Sequence, residues 1–338
     1  MARAKWLQER QADGARVEST LLLPIEYFHV VFTIPEEIAA IAFQNKKVVY
    51  GILFRAAAET LRVIAADPKH LGAEIGWTAI LHTWGQNLLH HPHLHCLVSG
   101  GGISSGGSGW TACRPGFFLP VRVLSRLFRR LFLEMRFQLL RQYLQQAFDK
   151  GKLQFFSSLV SLRDRQCFHK TLAAARKPEW VVYAKPPFAG PEQVLQYLGR
   201  YTHRVAISNN RLLSMENGHV QFQWKDYRNG NRQGVLTLDA DEFVRRFLLH
   251  VLPGTFQRIR HYGFLANRNR APKLALCRQL LAVLLAILVV PAADYRDRFE
   301  QLTGTSLRVC PVCEKGQMVR IGMIPAPRFS GADPIDSS

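Results

Sequence analysis

The chain has 338 residues, 48% of them hydrophobic, which is enough to bury the core of one large domain or two and excludes a disordered protein. Its 44 Lys and Arg against 25 Asp and Glu give a net charge of +19, which favours a polyanionic partner, nucleic acid before an anionic membrane surface. Six cysteines lack disulfide-framework spacing and the N-terminus lacks a signal-peptide core, so we expect a cytoplasmic protein. The longest apolar run, residues 280–290, is too short to span a membrane and predicts a buried helix.

The first predicted elements are a strand and a helix. Residues 1–23 are charged and weakly helical, and we interpret them as an arm. The segment YFHVVFTIP, from Tyr27, is typical of a strand that is stopped by Pro35. The next segment, FQNKKVVYGILFRAAAETLRVIAAD, has the periodicity of an amphipathic helix that ends before Pro68.

Four histidines then fall within six positions of the stretch HTWGQNLLHHPHLHC. On a strand, His93 and His95 share one face while Leu94 and Cys96 take the other. The run GWTAILHTW is suited to pair antiparallel with HLHCLVSGG, which would bring His82 alongside. This geometry suits one metal ion, although two histidines on a half-exposed strand are often only polar surface.

A glycine-rich segment and a basic segment follow. The composition of SGGGISSGGSGW predicts a flexible loop. Residues 121–148 alternate apolar stripes with arginines and predict a long helix with a basic outer face, either solvated or in contact with phosphates. Its arginines are Arg122, Arg126, Arg129, Arg130, Arg136 and Arg141.

Two tyrosines form the second candidate site. The segment EWVVYAK predicts a strand reaching Lys185, and PEQVLQYLGRYTH predicts a helix that begins at a proline. Tyr197 and Tyr201 are four residues apart and share one helix face. That spacing is common in ordinary packing, but beside a histidine cluster the phenols are candidate nucleophiles. Three basic residues lie close in sequence: Arg200, His203 and Arg204.

The last third of the chain predicts a hairpin, a helix and a basic segment. Asn217 and Gly218 signal a type I′ turn in RLLSMENGHVQFQWKDY, VLTLD adds a strand, and Asp239 is suited to cap the helix ADEFVRRFLLHVL. The segment FQRIRHYGFLANRNRAPK, which includes Arg268 and Arg270, has the basic and aromatic composition of a nucleic-acid surface or of a basic surface loop.

Cys310 and Cys313 have the spacing of half a zinc site. No second pair follows, so zinc binding here would need another segment or another chain.

The order of these motifs resembles a known family. HTWGQNLL and HHPHLHC, with YFHVVFTIP upstream and YLGRYTHRVAISNNR about a hundred residues later, resemble the two-tyrosine rolling-circle transposases of the insertion-sequence-91 type. The resemblance runs from about residue 24 to 275. It implies an α+β fold, with an antiparallel sheet backed by helices as in HUH endonucleases, and with additional helices and a small C-terminal extension. The predicted domains are therefore residues 1–23, 24–275 and 276–338.

The resemblance also implies residue roles. His93 and His95 correspond to the pair that holds a divalent ion, Mg²⁺ or Mn²⁺, and Tyr197 and Tyr201 correspond to the nucleophiles that cut single-stranded DNA. We infer His82 as the third ligand, with Gln86 as the alternative. Lys185, with Arg200 and Arg204, is expected to hold phosphates.

The expected partner is DNA, preferentially the single-stranded ends of the element, in a bacterial cytoplasm at the nucleoid. Family members usually begin with a cysteine-rich zinc-binding module, and none precedes Ala2, so a shortened copy is one interpretation. Two alternatives stay open at this point: a plasmid replication initiator or relaxase with the same chemistry, and a non-catalytic DNA-binding remnant.

Overall fold

The computed structural model describes residues 22–133, 143–185, 206–226 and 232–288, and these form a mixed α+β structure with antiparallel sheets. By its internal contacts the chain divides into two units, Met1–Arg278 and Gln279–Ser338. The first unit contains the sheets and the histidine cluster. No helix among the described residues is both long and apolar enough to cross a membrane.

The described strands are β1 (Tyr27–Thr33), β2 (Ala73–Trp84), β3 (His90–Ser104), β4 (Trp110–Ala112), β5 (Val182–Lys185), β6 (Leu212–Glu216), β7 (His219–Asp226), β8 (Arg232–Asp239) and β9 (Ile259–Gly263). The described helices are α1 (Glu36–Gln44), α2 (Lys46–Ala66), α3 (Val121–Leu133), α4 (Tyr143–Asp149), α5 (Arg165–Arg176), α6 (Ala240–Leu248) and α7 (Arg270–Leu288). Two 3-10 turns are Ser157–Arg163 and Asn209–Arg211.

The main sheet has the strand order β5-β1-β3-β2-β9, and β4 pairs with the end of β3. Every pairing in this sheet is antiparallel. Helices back one face, where Phe32, Leu94 and Cys96 join a large apolar core with Tyr50 and Phe54 of α2. An antiparallel sheet backed by helices is the predicted fold class, which is therefore confirmed.

The single helix predicted from FQNKK to Pro68 is in fact preceded by a second helix. The chain forms α1 and α2, with a break at Asn45. The Asn45 side chain donates hydrogen bonds to the carbonyls of Ile41 (3.1 Å) and Gln154 (2.8 Å). Asparagine competes for backbone hydrogen bonds in this way, which explains why the helix is interrupted there.

The flexible loop predicted from SGGGISSGGSGW is wrong for its first half, because β3 continues to Ser104. Two glycines lie where neighbouring strands approach closely. A Cβ at Gly100 would be 2.8 Å from the carbonyl oxygen of Glu26, and one at Gly102 would be 2.3 Å from that of Glu74. These glycines permit close strand approach, a use that composition alone does not distinguish from flexibility.

The smaller sheet, β6-β7-β8, contains the predicted hairpin. Asn217 and Gly218 have φ values of 50° and 76°, as a type I′ turn requires. Asp239 does occupy the position before α6, but its side chain makes no capping hydrogen bond, so that prediction is wrong. Its carboxylate instead lies 3.2 Å from Nε2 of His219 on the adjacent strand.

Candidate metal centre

The histidine cluster is built on the hairpin of β2 and β3. His82 pairs directly with His93, and Ile80 pairs with His95, so all three imidazoles project from the sheet face that the helices do not back. Beyond His82 the register shifts, and Trp84 pairs with His90. The extra β3 residue forms a bulge that contains Pro92, a residue that a regular ladder accommodates poorly because it lacks an N–H.

The three imidazoles converge as the sequence predicted. One ligand atom from each of His82, His93 and His95 lies within 4.8 Å of the others, and all three residues are buried. The Nε2 atoms of His93 and His95 are 3.0 Å apart. The ring centroid of His82 lies 4.4 Å from that of His95 and 5.6 Å from that of His93.

Neighbouring groups fix the ring orientations. The His93 Nδ1–H donates to the His91 carbonyl at 2.7 Å, which leaves Nε2 as the candidate ligand atom. His82 stacks on Trp84 with ring centroids 4.6 Å apart and an interplanar angle of 17°. The hydrogen bond and the aromatic stack together hold two of the three rings in position before any ligand binds.

His29 is the residue that the sequence analysis missed. It lies on β1, is 1% exposed, and places its Nε2 2.8 Å from Nδ1 of His95. The two rings are stacked, with centroids 5.0 Å apart. A histidine that binds a metal through Nε2 usually donates its Nδ1–H to a second group, and His29 is the acceptor in position to do this. The signal was present in the sequence, because His29 is the polar residue within the apolar run FHVVF of β1.

Burial keeps the imidazoles of His29, His93 and His95 neutral. It lowers the pKa of His93 to about 3, and it lowers that of His29 to about 3 with a smaller contribution from the charge of Lys185. The pKa of His95 is also well below its ordinary value, mainly because of burial and then because of its histidine neighbours. Neutral imidazole is the form that binds a metal.

Lys185 lies close to this cluster, at the end of β5. Its backbone pairs with His29, and its charge lowers the pKa of both His29 and His95. Partial burial lowers the pKa of Lys185 itself. A cation at this position is suited to meet an anionic group that approaches the histidines.

Arg268 lies in the turn before α7 and Arg270 is its first residue; burial, and then the charge of Arg270, lower the pKa of His261 on β9. Both arginines follow β9, whose last residue pairs with Gly76, and Lys273 in the next turn of α7 forms an ion pair with Glu74. Glu74 is eight residues before His82 on β2, or roughly 25 Å along the strand. On the same strand, Nδ1 of His261 lies 2.9 Å from Oγ1 of Thr78, a residue four positions before His82.

Several predicted residues fall outside the described parts of the chain. These are the tyrosines Tyr197 and Tyr201, the basic residues Arg200, His203 and Arg204, and the cysteines Cys310 and Cys313. Gln86 is described and lies in the turn after β2, where its carbonyl accepts a hydrogen bond from Arg211 at 2.5 Å. The convergence of the imidazoles favours His82 over Gln86 as the third ligand.

The donor set fits a divalent cation. The 3.0 Å between the two Nε2 atoms equals the spacing of adjacent ligands around an octahedral ion with bonds of about 2.1 Å. Three imidazole nitrogens suit Mn²⁺ better than Mg²⁺, which prefers oxygen ligands. The buried triad could therefore bind a metal ion.

Comparison with known proteins identifies the family. The sequence profile Y2_Tnp, described as "Putative transposase", matches residues 76–272, more than half of the chain. This chain belongs to the Y2_Tnp transposase family. It is 65% identical over 328 residues to "Putative transposase y4qJ" of Sinorhizobium fredii, which covers 95% of this chain and 77% of that protein.

A second relative of this Y2_Tnp chain is the transposase for insertion sequence element IS801 of Pseudomonas savastanoi pv. phaseolicola. The two are 30% identical over 254 residues, which cover 75% of this chain and 57% of that protein. No solved structure matches the chain. Membership in the Y2_Tnp family confirms the resemblance and the expected DNA transposase function, and it favours a transposase over a replication initiator or relaxase.

Proposed function

We propose that this transposase nicks and rejoins single-stranded DNA, with His82, His93 and His95 holding a divalent ion and with Tyr197 and Tyr201 as nucleophiles. The main support is the convergence of three buried imidazoles within 4.8 Å on one hairpin of the family-matched region. A bare surface pair of histidines would have neither the third ring nor the surrounding hydrogen bonds.

The described residues that flank the tyrosine segment support a common site. Lys185, the last described residue before it, pairs with His29 next to the cluster. Ala206, the first described residue after it, packs with Leu88 in the turn between β2 and β3. Both ends of the segment are thus anchored close to the histidine hairpin.

The reaction is a transesterification. A tyrosine oxygen attacks phosphorus, the bond from phosphorus to the 3′ oxygen breaks, and the products are a 5′-phosphotyrosine and a free 3′-hydroxyl. The leaving oxygen takes up a proton, and the reverse attack rejoins DNA without an external energy source. When bound, a divalent ion would polarise the phosphate and stabilise its developing negative charge.

The protein groups supply position and charge. The three imidazoles would hold the ion, His29 would orient His95, and Lys185 with Arg200 and Arg204 would attract the phosphates. A phenol with a pKa of about 10 is mostly protonated at neutral pH, so nearby positive charge is needed to favour the attacking phenolate. Two tyrosines would allow a second strand to be cut while the first stays attached.

Covalent adduct formation tests the nucleophiles. Single-stranded oligonucleotides covering the DNA on both sides of the gene would be incubated with Mn²⁺ and the protein, and adducts would be separated on denaturing gels. The double variant Tyr197→Phe/Tyr201→Phe should form no adduct but should still bind DNA, and each single variant should make one cut. Tyr183→Phe, an exposed tyrosine on β5, is the matched control.

An adduct with the double variant would place the nucleophile elsewhere and contradict the mechanism. A folded wild-type protein that binds these oligonucleotides but never cuts them would instead support the non-catalytic remnant. Oligonucleotides of equal length in duplex form test the expected preference for single strands.

A further inference from the structure

An open pocket of about 340 Å³ lies at the corner where α1 meets α2. Three lysines line this lysine pocket: Lys46 and Lys47 of α2, and Lys152 of the segment after α4. Among the described residues that line it there is no carboxylate. A concave surface with charges of one sign concentrates ions of the other sign, so the pocket is suited to an anion.

Side-chain amides hold the walls of the lysine pocket together. The Gln44 side chain accepts from the Phe156 N–H at 2.9 Å and donates to the Phe156 carbonyl at 3.1 Å. The Asn45 side chain makes the same two bonds with Gln154, at 2.7 and 2.8 Å. These paired hydrogen bonds attach the segment that contains Lys152 to the helix corner, so the fold itself brings the third lysine to the other two.

The ammonium group of Lys46 is also held in place. It donates to the carbonyl oxygens of Leu249 (2.8 Å) and Val251 (3.0 Å), in the segment that follows α6. Both acceptors are neutral, so they orient the group without cancelling its charge. An ammonium group has three donors, and the third can serve a ligand.

The other two lysines keep their charge. Lys47 and Lys152 are exposed, and within the described parts of the chain neither forms an ion pair. Asp149, three residues before Lys152, pairs instead with Arg165 at 3.0 Å. The two glutamates of α1 lie in its first turn, roughly 10 Å along the helix from the pocket. The pocket therefore carries a net positive charge.

Two exposed phenylalanines accompany the lysines, and each ring faces a cation. Phe43 lines the pocket and is 42% exposed, and Nζ of Lys46 lies 5.4 Å from its ring centroid. Phe156 adjoins the wall and is 51% exposed, and the Arg163 guanidinium carbon lies 6.0 Å from its centroid. Surfaces that bind single-stranded nucleic acid combine these two features, because bases stack on the rings while phosphates meet the charges.

The lysine pocket lies beside the end of β3 that carries the metal-site histidines. The Phe43 ring meets the His90 ring edge to face, with centroids 5.5 Å apart. His90 begins β3, three residues before His93, or roughly 10 Å along the strand. Nε2 of His90 is 2.8 Å from the Tyr50 hydroxyl of α2, so this ring projects to the helix-backed side. A DNA strand that passes from the histidine face around this end of the sheet would reach Phe43.

We propose that the lysine pocket holds a backbone phosphate of single-stranded DNA and that Phe43 and Phe156 stack the neighbouring bases. The occupant is the strand whose cleavage is proposed above, so this inference rests on the proposed function. Duplex DNA presents phosphates as well, but its bases are already paired and stacked and cannot use the two rings. The surface thus favours unpaired DNA by combining charge with accessible aromatic rings.

Fluorescence anisotropy of a labelled oligothymidylate tests the charges, with the full chain, no metal and several salt concentrations. Lys47→Gln/Lys152→Gln should bind several-fold more weakly and should reduce the slope of log affinity against log salt by about 0.7, the value for one phosphate of a single strand. Lys69→Gln/Lys150→Gln removes the same charge at exposed positions outside the pocket and should change neither quantity. An equal loss in the two double variants would overturn the proposal.

The same assay tests the rings. Phe43→Ala should weaken binding of the single strand at least about fivefold, whereas Phe43→Tyr, which can still stack, should bind as the wild type does. Affinity for a duplex of equal length should be the same in all three proteins. Phe117→Ala, which removes a 51% exposed ring elsewhere, is the matched control. Wild-type affinity in Phe43→Ala, or an equal loss for single strand and duplex, would contradict stacking.

Nicking separates this surface from the proposed function. His93→Ala should lose nicking but should bind the oligonucleotide without metal as tightly as the wild type does. If the wild type nicks DNA while Lys47→Gln/Lys152→Gln binds normally, only the lysine pocket is refuted. If that variant loses affinity while the wild type never nicks, the pocket is supported and the nicking mechanism is refuted.

Discussion

Successive residues of β3 alternate between two buried faces with opposite chemistry. Leu94 and Cys96 are 0% exposed and lie in the apolar core, while His93 and His95 are 7% and 4% exposed and lie in the polar cluster. Burial alone therefore does not identify a site. A buried apolar residue stabilises the fold, whereas a buried imidazole destabilises it unless its ring nitrogens have hydrogen-bond or metal partners.

The largest effect is expected on the histidine face. His93→Ala removes one ligand atom and should reduce Mn²⁺-dependent adduct formation at least about 100-fold, because the charge stabilisation contributed by an ion amounts to several kcal/mol. His219→Ala, an exposed histidine of the smaller sheet, should have no effect. A His93→Ala protein that cuts at the wild-type rate would mean that the ion is held elsewhere.

A substitution on the apolar face should lower the stability of the fold. Leu94→Ala should lower the free energy of unfolding by about 2–5 kcal/mol, because it leaves a cavity in the core. Urea denaturation measures this, with the 47% exposed Leu213 as the matched control position. A loss below about 0.5 kcal/mol, the usual size of a surface effect, would contradict the comparison of the two faces.

Replacing His29 should affect the metal site less than replacing the ligand His93. His29→Ala should weaken Mn²⁺ binding about 10- to 100-fold by removing the partner of His95 Nδ1. His29→Gln, which can still accept a hydrogen bond, should restore part of that loss. Calorimetry of Mn²⁺ binding distinguishes this positioning role from simple packing, for which Gln would be no better than Ala.

Lowering the pH should destabilise the fold through its buried imidazoles, because only these groups, and not the buried apolar residues, take up protons. Burial lowers the pKa of His250 to about 4, whereas the unfolded value is near 6.5. Between these values the unfolded chain binds more protons, so stability is present above pH 6.5 and falls as the pH drops towards 4. The loss between pH 7 and pH 5 should be about 1–2 kcal/mol for this group.

The variant His250→Asn provides the comparison for that measurement, because it removes the titrating ring. Its unfolding free energy should depend less on pH over the same interval. An equal slope in both proteins would assign the pH dependence to other groups.

The smallest effect is expected for Lys185→Gln. Losing one phosphate contact should lower single-stranded DNA affinity only a few-fold and reduce the slope of log affinity against log salt by about 0.7. Lys150→Gln, at the exposed residue that follows α4, serves as the control. A large loss of nicking without a change in affinity would give Lys185 a role in the reaction itself.

Much of the histidine site followed from local patterns. The alternation in HLHCLV and the antiparallel fit of GWTAILHTW were sufficient to predict that β2 pairs with β3 and that His82, His93 and His95 converge, and both predictions are confirmed. His29 was missed because its contact with His95 spans 66 residues, and only the pairing of β1 with β3 brings the two together. Roles for Tyr197 and Tyr201 stay predictions that rest on the family.

The same limit explains the errors elsewhere in the fold. Asp239 had the position and chemistry of a helix cap, but a cross-strand histidine at 3.2 Å engages its carboxylate. The break at Asn45 likewise depends on Gln154, a residue 109 positions away. Local propensity located the elements, and long-range contacts decided how particular side chains were used.

The close strand approach at Gly100 and Gly102 has a consequence for the history of this element. Any missense change at either codon adds a Cβ less than 3 Å from a backbone carbonyl oxygen of a neighbouring segment. Genomic copies that retain every histidine and tyrosine but have lost one of these glycines should therefore encode a misfolded, inactive protein. Inventories of active copies that count only catalytic motifs would overestimate how many can still move.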